Sequence, residues 1–255
     1  MPVEIITVPC RSDNYAYLIR DQGSGKVALV DAPAADPVVA ALEARGWGLD
    51  QIWITHHHDD HTEGVEALRA RYGARVVGYQ PDSARLPRLD LALAEGGTVG
   101  LGDSVARVID VSGHTIGHIA FVIDAEKAAF TADSLMALGC GRVFEGTHAM
   151  MWQSLSKLMA LPDDTQLYSG HNYGQANGRF ALTIEPGNAA LQARIARIEA
   201  ADAAGDPIVP VSLAEELATN PFLRASQPSV KASVGLAGAD DAAVFAEVRR
   251  RKDAF

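Results

Sequence analysis

The chain has 255 residues, of which 48% are hydrophobic and 21% charged, which is typical of a globular protein with material for a sizeable core. Its formal net charge is -10, and no run of lysine and arginine could follow a phosphate backbone, so we do not expect a nucleic-acid partner. The N-terminus has no basic region followed by an apolar run, and no stretch of about 18 apolar residues could span a membrane.

The cysteine content is low. Cys10 and Cys140 are too few for a disulfide framework. We therefore predict two buried thiols and a cytoplasmic protein without a membrane partner. The oligomeric state stays open, with a monomer as the default expectation.

Strands and helices alternate over the first part of the chain. Runs rich in Val, Ile and Tyr between Gly, Pro and Asp predict strands at residues 3–8, 15–19, 27–30, 52–55, 75–78, 98–101, 106–111, 118–123, 128–131 and 166–168. Apolar residues at helical spacing predict helices at residues 37–45, 62–72 and 147–161. This alternation favours an α/β domain over residues 1–171.

The pattern changes after residue 171. Residues 188–200, 213–218 and 242–251 have helical spacing, several prolines stand between them, and no strand is predicted. We therefore expect a small, mainly helical second domain over residues 172–255.

A histidine-rich segment follows the predicted strand at residues 52–55. In an extended chain alternate side chains face one side, so His56, His58 and Asp60 can converge, and His61 can face a second ion if the chain turns there. Imidazole and carboxylate together suit zinc, iron or manganese. The alternative for such a run is a solvated polar loop.

Three more candidate ligands stand at the ends of later predicted strands. His114 and His171 each follow a glycine, which lets the backbone approach closely, and Asp133 follows the strand at residues 128–131. Each alone is a weak signal, because polar residues commonly end strands. With the earlier segment they make seven ligands, a number that suits two ions sharing one carboxylate.

These residues resemble the signature of the metallo-β-lactamase superfamily, and the chain is most similar to its glyoxalase II (hydroxyacylglutathione hydrolase) family. The similarity continues through the runs at residues 113–115, 130–135, 139–142, 145–146, 169–173, 220–222 and 249–253, and so covers nearly the whole chain. The resemblance implies an αββα sandwich of two mixed sheets with outer helices, followed by a helical C-terminal domain.

The resemblance also implies ligand roles. His56, His58 and His114 would hold one metal ion, Asp60, His61 and His171 would hold a second, and Asp133 would bridge them. We expect two divalent ions, zinc first, with iron or manganese as alternatives. His57 and Asp59 would support the site or face solvent, while His118 and His148 match no ligand role.

The implied reaction is hydrolysis of an S-(2-hydroxyacyl)glutathione, such as S-D-lactoylglutathione, to glutathione and a 2-hydroxy acid. A metal-bound hydroxide is the expected nucleophile, and Asp60 and Asp133 are the expected catalytic carboxylates. The resemblance assigns glutathione binding to Arg142, Phe144, Tyr173, Arg249 and Lys252. Two of these depart from the family, which often has Lys in place of Arg142 and Tyr in place of Phe144.

Several rival functions are open on the same scaffold. A glutathione persulfide dioxygenase would use one iron, and the basic run at residues 249–252 argues against it. A lactonase or β-lactamase would be distinguished by a substrate panel. A metal-binding protein without catalysis is the rival from another class, and thioester hydrolysis would remove it. No Gly-x-Ser-x-Gly run supports a serine hydrolase.

Overall fold

A computed structural model describes residues 3–255, so the first two residues of the predicted domain 1–171 lie outside the described part. The chain forms two compact units. The first is the described part of Met1–Asp110 together with Ile116–Thr131, and the second is Val111–Thr115 together with Ala132–Phe255. Among residues 3–255 no helix is long and apolar enough to cross a membrane.

The first unit contains most of the strands. Its strands are β1 (Val3–Cys10), β2 (Asn14–Asp21), β3 (Val27–Val30), β4 (Gln51–Trp53), β5 (Arg75–Tyr79), β6 (Leu91–Leu93), β7 (Thr98–Leu101), β8 (Ser104–Asp110), β9 (Ile119–Ile123) and β10 (Ala128–Ala132). Its helices are α1 (Ala35–Glu43), α2 (Asp59–Thr62) and α3 (Val65–Tyr72), and short 3-10 turns lie at Gln80–Asp82 and Asp124–Glu126.

Two sheets face each other within this unit. One has the order β1-β2-β3-β4-β5-β6, with antiparallel pairs up to β3 and parallel pairs from β3 to β6. The other places β10, β9, β8 and β7 side by side in antiparallel pairs. Between them the rings of Trp53 and Phe121 lie 5.2 Å apart, and those of Tyr17 and Phe130 lie 5.5 Å apart. Every residue of β9 and β10 is buried, so burial does not alternate along these strands and both of their faces are covered.

Helices α1 and α3 cover the other face of the first sheet. Val38 and Leu42 of α1 and Val65 and Leu68 of α3 join one apolar cluster with the strand residues beneath them. The spacing of four and three residues puts each pair on one face of its helix, which is why the sequence predicts both helices.

The second unit is mainly helical. Its strands are short: β11 (Leu135–Met136), β12 (Gly139–Cys140), β13 (Gln166–Ser169) and β14 (Val211–Ser212). Its helices are α4 (His148–Met159), α5 (Gly174–Ile184), α6 (Ala189–Ala204), α7 (Leu213–Thr219), α8 (Pro228–Ser233) and α9 (Asp241–Asp253). Asn220 donates from its side-chain amide to the carbonyl oxygen of Gly139 at 3.0 Å, which ties the end of α7 to the β11–β12 hairpin.

Two expectations for the later part of the chain are corrected. Strand β14 pairs with β13, although no strand is predicted beyond residue 171, because two residues are too few to produce an alternating pattern. Helix α5 also went unpredicted, since glycines weaken its helical pattern. The structure accounts for both glycines of α5: a Cβ on Gly174 would lie 2.5 Å from Ile208, and one on Gly178 would lie 2.9 Å from Ile195.

Candidate metal centre

The histidine-rich segment leaves β4 in extended form and then turns into helix α2. His58 is the last extended residue, with φ -61° and ψ 143°, and its carbonyl oxygen accepts from the Thr62 hydroxyl at 3.2 Å. The expected alternation therefore holds for His56 and His58 but is wrong for Asp60, which lies in the first turn of α2. The chain turn that the sequence analysis expects at His61 is formed by helix α2.

His56 and His58 bring two ring nitrogens together. His56 Nε2 lies 3.1 Å from His58 Nδ1, and His56 is fully buried. The Thr55 hydroxyl lies 2.8 Å from Asp31 Oδ2 and 3.1 Å from His56 Nδ1. The Asp31 carboxylate can only accept, so the single hydroxyl hydrogen of Thr55 is donated to it. The Thr55 oxygen must then accept a hydrogen bond from His56 Nδ1. The lone pair of His56 is then on Nε2, the nitrogen beside His58.

Asp31 also holds His61. Its Oδ2 lies 2.7 Å from His61 Nδ1, and its Oδ1 accepts the Thr55 backbone amide at 2.9 Å. Both Asp31 and His61 are buried. A carboxylate that accepts from one ring nitrogen leaves the other nitrogen as a ligand and fixes the plane of the ring. His61 Nε2 accordingly faces Asp60 Oδ2, at 3.7 Å.

The remaining histidines of this region have supporting positions. His57 turns to Asp82, with Nδ1 3.5 Å from Oδ2, and Arg85 donates to Asp82 at 2.6 Å. His118, which matches no ligand role in the sequence, is fully buried, and its ring stacks on that of His56 with centroids 4.6 Å apart. Asp59 is exposed.

In the second unit, His114, Asp133 and His171 come together. Asp133 Oδ2 lies 3.4 Å from His114 Nε2 and 3.4 Å from His171 Nε2, and all three residues are buried. His114 Nδ1 lies 2.7 Å from the carbonyl oxygen of Arg142, which can only accept, so the lone pair of His114 is on Nε2. One carboxylate oxygen thus lies at equal distance from two imidazole nitrogens, and the lone pair of His114 points to this side of its ring.

Glycines allow this close approach. A Cβ on Gly141 would lie 2.1 Å from the carbonyl oxygen of Asp133 and 3.0 Å from His114 Nδ1. Gly170 donates its backbone amide to the carbonyl oxygen of Ala132 at 3.0 Å, which joins the strand ends that carry His171 and Asp133. The expected close backbone approach is confirmed for Gly113, where a Cβ would lie 2.8 Å from Met151 Cα, while Gly141 is a close contact that the sequence did not predict.

The donors of each unit have the chemistry of divalent-metal ligands. They are imidazole nitrogens and carboxylate oxygens on buried or half-buried side chains, the ligand chemistry of zinc, iron and manganese sites. The hydrogen bonds of His56, His61 and His114 each fix which ring nitrogen is left for a ligand. Such supporting bonds are usual for histidines that bind a metal.

Three predicted substrate residues lie beside the second group of donors. Tyr173 stacks on His171, with ring centroids 4.7 Å apart, and is 38% exposed. Phe144 is 61% exposed, and its ring lies 5.3 Å from that of His114. The guanidinium of Arg142 lies 6.0 Å from the Phe144 ring. These three side chains therefore present two aromatic surfaces and a cation within the second unit.

The other two predicted substrate residues lie on α9 and differ from each other. Arg249 is buried, with 4% of its surface exposed, and donates to the carbonyl oxygen of Cys140 at 2.9 Å and to Asp253 at 3.0 Å. Lys252 is half-buried and donates to the carbonyl oxygen of Ala176 at 3.1 Å. Burial, together with the nearby positive charge of Arg249, lowers the pKa of Lys252 to about 8. A substrate role for either residue stays a prediction.

Sequence reasoning overlooked Asp31 and Asn14. Asp31 directly follows the apolar strand β3, the same pattern that identified Asp133, and this signal was available. Asn14 stands at the start of β2, where nothing in the sequence separates it from an ordinary turn residue. The structure brings both to the histidine-rich segment.

Comparison with known proteins agrees with this geometry. Residues 11–171 match the family model described as the metallo-β-lactamase superfamily, and residues 172–255 match that of the hydroxyacylglutathione hydrolase C-terminus. The hydroxyacylglutathione hydrolase of Ruegeria pomeroyi is 60% identical and that of Cereibacter sphaeroides 58% identical, each over 255 residues that cover 100% of both chains.

A solved structure agrees as well. The crystal structure of ETHE1 from Myxococcus xanthus aligns with a TM-score of 0.69 at 25% identity, covering 98% of this chain and 90% of that one. The expected fold, with mixed sheets and a helical C-terminal part, is confirmed. With a superfamily match over more than half of the chain and full-length relatives at 58% and 60% identity, the chain belongs to the hydroxyacylglutathione hydrolase family of the metallo-β-lactamase superfamily.

Proposed function

We propose that this protein hydrolyses the thioester of an S-(2-hydroxyacyl)glutathione, such as S-D-lactoylglutathione, to glutathione and a 2-hydroxy acid. The observation that carries the proposal is the 60% identity, over the full length of both chains, to a hydroxyacylglutathione hydrolase. The match includes the helical C-terminal part, which has its own family model.

The proposed cofactor is a pair of divalent metal ions, with zinc first and iron or manganese as alternatives. From the family resemblance, His56, His58 and His114 would hold one ion, Asp60, His61 and His171 would hold the other, and Asp133 would contribute to both. Bound divalent ions polarise a carbonyl oxygen and lower the pKa of bound water towards neutrality. Asp31, Thr55 and the carbonyl oxygen of Arg142 support this role by orienting His61, His56 and His114.

The chain's own residues argue against covalent catalysis by a cysteine. Burial raises the pKa of the Cys140 thiol to about 11, so it stays protonated and is a poor nucleophile at neutral pH. Burial raises the pKa of Cys10 to about 11 as well. The leaving group is the thiolate of glutathione, whose ordinary pKa of about 8.5 lets it leave without a strong general acid. Both thiols are free and buried, which supports the proposed cytoplasmic location.

Glutathione binding is proposed for Arg142, Phe144, Tyr173, Arg249 and Lys252. Tyr173 and Phe144 offer exposed aromatic faces, and Arg142 offers an exposed cation for a glutathione carboxylate. Phe144 lacks the hydroxyl that the family often has at this position. One neutral hydrogen bond contributes about 0.5–1.5 kcal/mol, so its absence should weaken binding without changing the reaction.

The test is thioester hydrolysis with metal analysis on the same purified sample. We expect hydrolysis of S-D-lactoylglutathione that is lost on chelation and restored by a divalent metal. Asp133→Ala should lose at least one ion and nearly all activity together, because it removes the carboxylate assigned to both ions. Two retained ions with near wild-type turnover would show that this assignment is wrong.

A substrate panel separates the rivals. Oxygen consumption with glutathione persulfide would favour the dioxygenase, and ring opening of a lactone or β-lactam would favour those hydrolases. Hydrolysis of the glutathione thioester at a much higher kcat/KM than any of these supports the proposal.

A further inference from the structure

We propose that Asn14 is a positioning residue for the carboxylate of Asp60. The Asn14 side-chain amide donates to Asp60 Oδ2 at 3.0 Å and to the Asp60 carbonyl oxygen at 3.1 Å. Asn14 itself is buried, with 3% of its surface exposed. The inference deepens the proposed function, since it rests on Asp60 being a metal ligand.

The fold gives Asn14 a fixed place. Asn14 pairs with Cys10 at the closed end of the β1–β2 hairpin, and the turn between them includes Arg11 in the left-handed region, with φ 50°. Arg11 donates to the carbonyl oxygen of Pro33 at 2.8 Å and forms an ion pair with Glu63, the residue that ends α2. The hairpin end is thus anchored against the helix that carries Asp60.

The Asp60 carboxylate is within reach of solvent. Helix α2 has four residues, and the Asp60 side chain is 34% exposed, so solvent competes for its oxygens. The amide of Asn14 contacts the same oxygen that lies 3.7 Å from His61 Nε2. The bond therefore keeps the carboxylate beside His61, where both are assigned to one ion.

The chemistry of an amide suits this task. The Asn14 amide donates a hydrogen bond but carries no charge, so it orients the Asp60 carboxylate and leaves the negative charge of that carboxylate available to a cation. A carboxylate at position 14 would instead face Asp60 without a proton to donate, and would repel it. Removing a hydrogen bond to a metal-binding side chain typically lowers metal affinity 10–100-fold.

The experiment compares Asn14→Asp, which keeps the size and shape of the side chain, with Asn14→Ala. Both variants and the wild type are titrated with zinc against a competing chelator, and thermal unfolding is measured with and without metal. We expect one of the two ions to bind about 10–100-fold more weakly while the other binds normally. We also expect the metal-free Asn14→Ala variant to unfold close to the metal-free wild type.

Arg11→Ala is the matched control, because Arg11 contacts the ends of α2 but makes no described contact with the Asp60 side chain. It should keep both zinc affinities, even if it unfolds earlier. Normal affinity for both ions in the two Asn14 variants would overturn the inference. So would an equal loss in Arg11→Ala, because that result would mean that anchoring of α2, and not orientation of the carboxylate, controls affinity.

Asp60→Ala separates the positioning role of Asn14 from the assignment of Asp60 as a metal ligand. If Asp60→Ala loses one ion and the Asn14 variants do not, the positioning role alone is wrong. If Asp60→Ala keeps both ions at wild-type affinity, the ligand assignment in the proposed function fails, and the positioning role fails with it.

Discussion

Asp31 Oδ2 lies 2.7 Å from His61 Nδ1, and both side chains are buried. The same carboxylate accepts from the backbone and the hydroxyl of Thr55, so one residue connects the end of β3, the end of β4 and helix α2. Asp31 adopts a left-handed backbone, with φ 56°, to reach this position.

Asp31→Ala should weaken metal binding, because His61 loses the partner that fixes its ring. We expect a fall in affinity of about 10–100-fold, measured by zinc titration against a chelator. The zinc affinity of Asp31→Asn should lie between that of the wild type and that of Asp31→Ala, since the amide oxygen can still accept from His61. Wild-type affinity in the alanine variant would mean that packing alone orients the ring.

Asp60→Asn should cripple hydrolysis, whereas Asp59→Asn should be mild. Asp60 lies 3.7 Å from His61, while Asp59 is exposed on the same helix turn, so the pair is matched in sequence and differs in environment. Steady-state rates and metal content measured on both variants test this. The reverse ranking would contradict the ligand assignment.

The kcat/KM for the glutathione thioester should fall as the pH rises through about 8. Burial lowers the pKa of Lys252 to about 8, so its ammonium fraction in the free enzyme drops from about nine-tenths at pH 7 to about one-tenth at pH 9. If Lys252 contacts a glutathione carboxylate, the loss appears in KM more than in kcat.

Two controls accompany this pH profile. Lys252→Arg keeps its charge and should lose the decline, because the pKa of arginine lies above 12. A small thioester without the glutathione peptide should show no Lys252-dependent decline. The same decline on both substrates would place the titrating group elsewhere.

Arg249→Ala should lower stability as well as substrate affinity. Arg249 is buried and donates to the Cys140 carbonyl oxygen and to Asp253, so its loss removes the hydrogen bond to a buried carbonyl oxygen and an ion pair with Asp253, which keeps its contact with Arg142. Hydrogen bonds to charged groups contribute about 1.5–3 kcal/mol, and we expect a loss of this order in urea unfolding. Arg250→Ala is the control: Arg250 is exposed and pairs with Glu247, so its change should stay within about 0.5 kcal/mol.

Asp21 should make stability depend on pH at the acid end. The buried Asp21 carboxylate accepts from the hydroxyl of Ser104 at 2.6 Å and from the amide and hydroxyl of Ser24, and these bonds hold its pKa well below its usual range. Its stabilisation is present above the unfolded pKa of about 3.9 and is lost as the pH falls towards the folded pKa.

Asp21→Asn should therefore be less stable than the wild type at pH 7, and the difference should shrink below about pH 4. Urea unfolding of both proteins in metal-free form measures it, because metal release at low pH then affects neither protein. A difference that stays constant from pH 7 to pH 3 would mean that the packing of Asp21, and not its charge, stabilises the turn.

Much of the fold was predictable because its signals are local. The strands of the first unit, except the three-residue β6, and helices α1, α3, α4, α6 and α9 follow from apolar spacing, Gly and Pro. The candidate metal ligands were predictable for the same reason, since histidine and aspartate are metal-binding residue types and their positions after predicted strands can be read without knowing any contact. Family resemblance then supplied the role of each one.

The features that the sequence could not predict depend on contacts between residues far apart in the chain. Asn14 lies 46 residues from Asp60, and Asp31 lies 30 residues from His61, so no periodicity relates them. Helix α5 keeps glycines because α6 packs closely against it, and Arg249 is buried because Cys140 receives its hydrogen bond. The sequence by itself determined which chemical groups are present and which elements carry them. Only the tertiary structure decided which nitrogen and oxygen atoms face one another, because that follows from packing and hydrogen bonds between segments far apart in sequence.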